Sequence, residues 1–133
     1  VHGVETLYTV MGTGCQSLVR SSTPTTDVVV GTWAGGRIGV FRGMRIKGMG
    51  YGGTVFGEKG IQPIGPSEHY EPLVVQIAQF FRTRTPPVDA KETIEIYTFM
   101  EAADESKHRD CVPVPLNEVY ERAAAEARKN PLR

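Results

Sequence analysis

Two β-rich runs, VVVGTW (28–33) and RIGVFR (37–42), lie on either side of Ala34-Gly35-Gly36. Glycine reaches positive φ freely, so this loop closes a tight hairpin and makes the two runs antiparallel neighbours. The pairing constrains the rest of the chain, because the apolar face of a sheet must be covered by another layer. Side chains alternate along a strand, so either Val28, Val30 and Thr32 or Val29, Gly31 and Trp33 share one face. Alternation leaves open which set points outward. Trp33, beside the turn, reads as a core or interface residue rather than a ligand platform.

The flanking elements follow from periodicity. Val4, Leu7, Val10 and Met11 recur at helical spacing, and Gly12 and Gly14 are stop signals, which predicts a short helix over 3–11. CQSLVRSS (15–22) alternates toward a strand, TPTTD (23–27) is a turn by composition, and TVFGEKGIQPIG (54–65) is a further strand with a turn at Gly57–Gly60. The second half changes character. Pro72 suits the first turn of a helix, in which Leu73, Ile77, Phe80 and Phe81 form an apolar face up to about Arg84. RTPPV (84–88) breaks that helix. Asp89 with Glu92 resembles a capping box and predicts a helix through Ile94, Tyr97 and Met100 to about Lys107. CVPVPL (111–116) is extended, because its two prolines exclude helix. Asn117 then caps a last helix carrying Val119, Tyr120, Ala123, Ala124 and Ala127, with Pro131 beyond its end. Strands first and helices afterwards predict an α+β fold: a mostly antiparallel open sheet with helices packed on one face.

At 133 residues the chain suits one domain able to bury a core. Fifteen basic residues balance fifteen acidic ones, so no global field draws in nucleic acid or anionic lipid. No apolar run approaches the roughly 20 residues that span a bilayer. Residues 1–15 lack the basic start and apolar stretch of a signal peptide; a cytoplasmic location is expected, with any export signal expected in a missing N-terminal part. Cys15 and Cys111 form no CxxC pair and read as free, small hydrophobes. The start, VHGVETLYTVMG, has no initiator Met and enters an apolar pattern at once, as expected of a piece of a larger protein.

Gly48, Gly50 and Gly53 fall on the spacing G-x-G-x-x-G. A dinucleotide fingerprint must follow a strand and open a helix whose N–H groups hold the pyrophosphate. Here β-prone TVFG follows, and no carboxylate-bearing strand arrives about 20 residues later. The loop therefore reads as a turn before a strand. His2, His69 and His108 are not at metal-ligand spacing. Ser17 and Ser67 lack the setting of a hydrolase nucleophile. EAADESKHRD (101–110) reads as a solvated helix end. Arg37, Arg42, Arg45 and Lys47 place cations along one hairpin arm, with Arg42 and Arg45 the candidates for an anionic ligand and otherwise solvated strand positions.

Three segments resemble one family. VHGVETLYTVMG is similar to the G-x-H-x-x-(D/E)-x-L-x-x-x-x-G helix of the bacterial Gfo/Idh/MocA oxidoreductases, the glucose–fructose oxidoreductase and inositol dehydrogenase group. TVFGEKG resembles the strand-turn written G-(T/E)-(K/E)-G in that family's second domain. FMEAADESKHRDCVPVPL resembles its late helix, rich in Ala and Ser, which ends before a V-P-V-type extended piece. The resemblance covers nearly the whole chain, and only the second domain. It implies that residues 1–133 are one C-terminal substrate and oligomerisation domain, with the N-terminal Rossmann domain absent from this chain. The full-length enzyme would use NAD or NADP on a sugar, cyclitol or related polyol, and this chain alone would hold no cofactor and be inactive.

The resemblance also implies roles for residues. His2 falls where the family has the histidine of its D-x-x-x-H pattern, although the Asp would precede residue 1. There it would share the proton lost by the substrate hydroxyl as hydride passes to the nicotinamide. Glu5, three residues on and on the same helix face, would orient His2 or touch the substrate. From the reading of the residues alone, and not from the resemblance, Arg42 and Arg45 join Glu5 as substrate-binding candidates. The lysine of the family's Glu-Lys-Pro motif belongs to the missing domain. The exposed sheet face, which Val28, Val30, Arg37 and Val40 would help line, implies a homo-oligomer. The alternative is a non-enzymatic α+β ligand-binding or dimerisation module.

Overall fold

The computed structural model describes residues 1–48, 50–65 and 70–130. In chain order the elements are α1 (His2–Met11), β1 (Cys15–Ser22), β2 (Thr26–Trp33), a 3-10 turn (Ala34–Gly36), β3 (Ile38–Met44), β4 (Gly53–Gly57), β5 (Gly60–Ile64), α2 (Glu71–Thr83), α3 (Ala90–His108), β6 (Val114–Pro115) and α4 (Leu116–Lys129). The expected α+β architecture is present, with antiparallel pairing throughout. The chain divides into two compact units, Val1–Ile46 with Lys91–Arg133, and Lys47–Ala90. Ser67, His69 and Pro131 lie outside the described residues.

The first unit is built on a sheet of order β3-β2-β1-β6. Gly35 and Gly36 adopt φ of 79° and 78° in the predicted hairpin turn, and the Trp33 N–H donates to the Arg37 carbonyl at 2.8 Å. The preceding turn is shorter than TPTTD suggests, since β2 already begins at Thr26. Threonine is β-branched and fits a strand where composition alone says turn. β6 is two residues long and pairs with β1 through Pro115–Ser17 and Val114–Leu18. Proline has no N–H to donate, which confines Pro115 to such an edge.

Packing decides the face that alternation left open. Val29, Gly31 and Trp33 are buried, whereas Thr32 is exposed and Val28 and Val30 are half-buried. The inward face packs against α1, α3 and α4 in one core containing Val4, Tyr8, Leu18, Val29, Trp33, Phe99, Val114 and Val119. Trp33 is fully buried. Its ring centroid lies 5.7 Å from that of Tyr8 and 6.0 Å from that of Phe99, and its indole N–H donates to the Gly12 carbonyl at 2.9 Å.

Two strand glycines make room for this ring. A Cβ on Gly31 would meet Trp33 Cζ3 at 2.6 Å and Phe99 Cε2 at 3.1 Å, and one on Gly39 would meet Trp33 Cζ3 at 2.9 Å and Leu7 Cδ1 at 3.1 Å. A strand glycine costs about 0.5–1 kcal/mol against alanine. Losing a buried Phe or Trp costs about 3–5 kcal/mol. The exchange therefore favours the glycines.

The helices keep their predicted places but turn different faces to the core. In α3, Ile94 and Tyr97 are exposed, and the buried residues are Ile96, Phe99, Ala102, Ala103 and Ser106. Ser106, small and fully buried, links this helix to β1. The Arg20 N–H donates to Ser106 Oγ at 3.0 Å, and that hydroxyl donates to the Val112 carbonyl at 2.8 Å. Asn117 does not cap α4: Pro115 holds the N-cap position, and buried Leu116 starts the helix two residues earlier than an Asn117 cap would. Of the five apolar residues expected along α4, only Val119 is buried.

In the second unit, β4 and β5 pair with Phe56 opposite Ile61, so the predicted strand-and-turn is a two-stranded hairpin. Gly53 of the glycine loop opens β4 and not a helix. Pro72 stands in the first turn of α2, which Arg84 closes in a left-handed conformation with its N–H on the Phe80 carbonyl at 2.7 Å. The apolar face expected of α2 is not buried, and Leu73, Ile77 and Phe81 are all exposed.

Gly31→Ala should destabilise the chain by about 1–3 kcal/mol through overpacking against Trp33. Gly50→Ala, where an added Cβ meets nothing within 4 Å, should change stability by less than about 0.5 kcal/mol. Urea unfolding midpoints of the two variants make the comparison.

Candidate functional site

Two of the four candidate side chains come together at the start of α1. His2 Nδ1 lies 2.9 Å from Glu5 Oε2, and a carboxylate only accepts, so Nδ1 carries the shared proton. The one-turn spacing on a helix produces the contact. The carbonyl of Val1 accepts from the Val4 and Glu5 N–H groups, and Val4 and Tyr8 anchor the opposite side of α1 in the core. The pair is exposed, at 73% and 50% for the two side chains.

The arginines lie elsewhere. Arg42 pairs opposite Val28, in the register row next to Val30–Val40, and is exposed. It belongs to the outer sheet face, whereas α1 packs on the inner face, with Gly3 against the Phe41 ring and Leu7 and Met11 over Gly39. Arg42 and His2 thus lie on opposite sides of the sheet. Arg37 does not line the outer face: it stands opposite Trp33, and its guanidinium donates to the Met11 carbonyl at 2.9 Å, closing the C-terminal end of α1.

Arg45 joins an ion network that sequence reasoning missed. Asp27 Oδ1 accepts from Arg20 Nη2 at 2.9 Å, Arg20 Nε at 3.1 Å and Ser22 Oγ at 2.6 Å, while its second oxygen takes Arg45 Nη2. Arg20 also reaches Asp104 on α3. The network fastens the β1–β2 hairpin tip to α3. Burial alone would raise the Asp27 carboxyl, but hydrogen bonds from Ser22 and Arg20 and the charges of Arg20 and Arg45 hold it below its ordinary value. An Arg and an Asp seven residues apart across a hairpin carry no local signal, since strand register alone brings them together.

Glu95 is the second residue missed. Its Oε1 accepts from the Gly14 N–H at 2.7 Å, the Cys15 N–H at 2.8 Å and the Tyr8 hydroxyl at 3.3 Å, tying the turn after α1 to α3. The available signal was its place four residues before core Phe99. Burial, then the Glu95 charge, pushes the Cys15 thiol up to about 12. Cys15 is buried as expected of a small hydrophobe, but Cys111 is exposed.

A hollow at α3 and α4 is lined by Glu101, Asp104, Glu105, His108, Arg109 and Arg122. Glu105 takes both Arg109 and Arg122, and the hydrogen bond from Arg122 chiefly lowers its carboxyl against burial. These charges satisfy one another. Among the described residues no group of three His, Cys, Asp or Glu could hold a metal ion, and no helix is long and apolar enough to cross a membrane. After the glycine loop, Gly53 opens the strand β4 and not a helix whose N-terminus could face a pyrophosphate.

Asp27 is ionised in folded and unfolded chains above the ordinary carboxylate range, and its stabilisation is complete there. As pH falls below about 4 the unfolded chain binds the proton first. The contribution shrinks and is gone below the folded pKa. Asp27→Asn should therefore lower stability at neutral pH and flatten its loss on acidification, measured by urea unfolding across the acid range. In the native chain a thiol reagent at neutral pH should label Cys111 alone. Cys111→Ser should abolish the fast phase, and Cys15 should react only after unfolding.

No family model, curated protein or solved structure matches this chain.

Proposed function

We propose that this chain is the C-terminal substrate-side and assembly domain of an NAD(P)-dependent oxidoreductase that acts in the cytoplasm on a sugar, cyclitol or related polyol. In this reading it forms a homo-oligomer through the outer face of its sheet. The resemblance of three segments to the Gfo/Idh/MocA enzymes supports the chemistry. One observation supports the assembly: α1, α3 and α4 cover one face of the sheet, while the other carries a row of valines, Val19–Val30–Val40. Val40 is 56% exposed and neighbouring Ile38 64% exposed. Arg42 is the one charged side chain among these outward positions, and it stands on the edge strand β3. A β-branched surface poor in charge matches the composition of an interface core, and sheets pack face to face through such surfaces.

In the catalytic reading, Glu5 fixes the His2 imidazole with Nδ1 as donor. His2 then hydrogen-bonds the substrate oxygen at the mouth of a cleft whose other wall is the nucleotide domain. The cofactor would be held by that domain, and no step is assigned to the glycine loop. The second reading, a dimerisation module without chemistry, uses the same sheet face. It is favoured by the separation of the candidates, with Arg42 across the sheet from His2 and Arg45 held by Asp27.

Two measurements test these readings. Sedimentation equilibrium of the chain should give a concentration-dependent dimer or larger assembly. Val30→Lys should weaken association at least tenfold with the circular dichroism spectrum unchanged, and a wild-type monomer at all concentrations refutes the assembly. The product of the complete reading frame, assayed with polyols and NAD(P), should generate reduced nicotinamide. There His2→Ala should lower kcat by about 100-fold or more. A product that turns over no polyol while still associating through Val30 selects the dimerisation module.

A further inference from the structure

We draw no further inference here: the strongest candidate, the apolar face of α2 formed by Leu73, Ile77 and Phe81, is an unpartnered helix face, and nothing in the structure shows what covers it.

Discussion

The indole of Trp33 occupies space that any side chain on Gly31 or Gly39 would take. With the indole in place, α1 and α3 meet the sheet through its two aromatic neighbours: Tyr8 comes from one helix and Phe99 from the other, 5.8 Å apart and nearly perpendicular. Edge-to-face pairs of this kind add about 0.5–1.5 kcal/mol beyond the area they bury. The Trp33 N–H on the Gly12 carbonyl then sets where α1 ends. Positions around this cluster are coupled, because each ring packs against the other two.

Polar groups secure what the aromatic cluster positions. Glu95 satisfies two backbone N–H groups in the turn after α1, and an unpaired buried donor would cost about 1–3 kcal/mol each. Ser106 performs the same service on the free side of β1, past the end of the two-residue β6. Asp27 with Arg20, Arg45 and Asp104 closes the far end of the hairpin. The polar side chains that matter most for stability are thus held apart from the exposed His2–Glu5 pair. A variant at His2 can therefore test chemistry without disturbing the core.

Much of the local structure was legible because it depends on neighbours in the chain. Gly35 and Gly36 make the hairpin turn through their own backbone freedom. Pro72 favours the first turn of α2 for the same kind of reason, and the β-prone residues after Gly53 give a strand in place of a helix at that loop. His2 and Glu5 meet because helical spacing places them together. Glu95, Asp27 and Ser106 were missed because their partners lie about 80 residues away or across a strand register. No local pattern distinguishes them from solvated polar residues.

By itself the sequence determined the order of elements, the hairpin at Ala34–Gly36, the α+β class and the strand that follows the glycine loop, since each follows from short-range backbone preference. Only tertiary structure decided which face of β2 is core. Val28 and Val30 are as apolar as Val29, and the choice waited for the helix layer to close over Trp33. The same closure put Ile96 and Phe99 inward in place of Ile94 and Tyr97. It also left the valine row on the outside, because a sheet has two faces and this unit covers one of them.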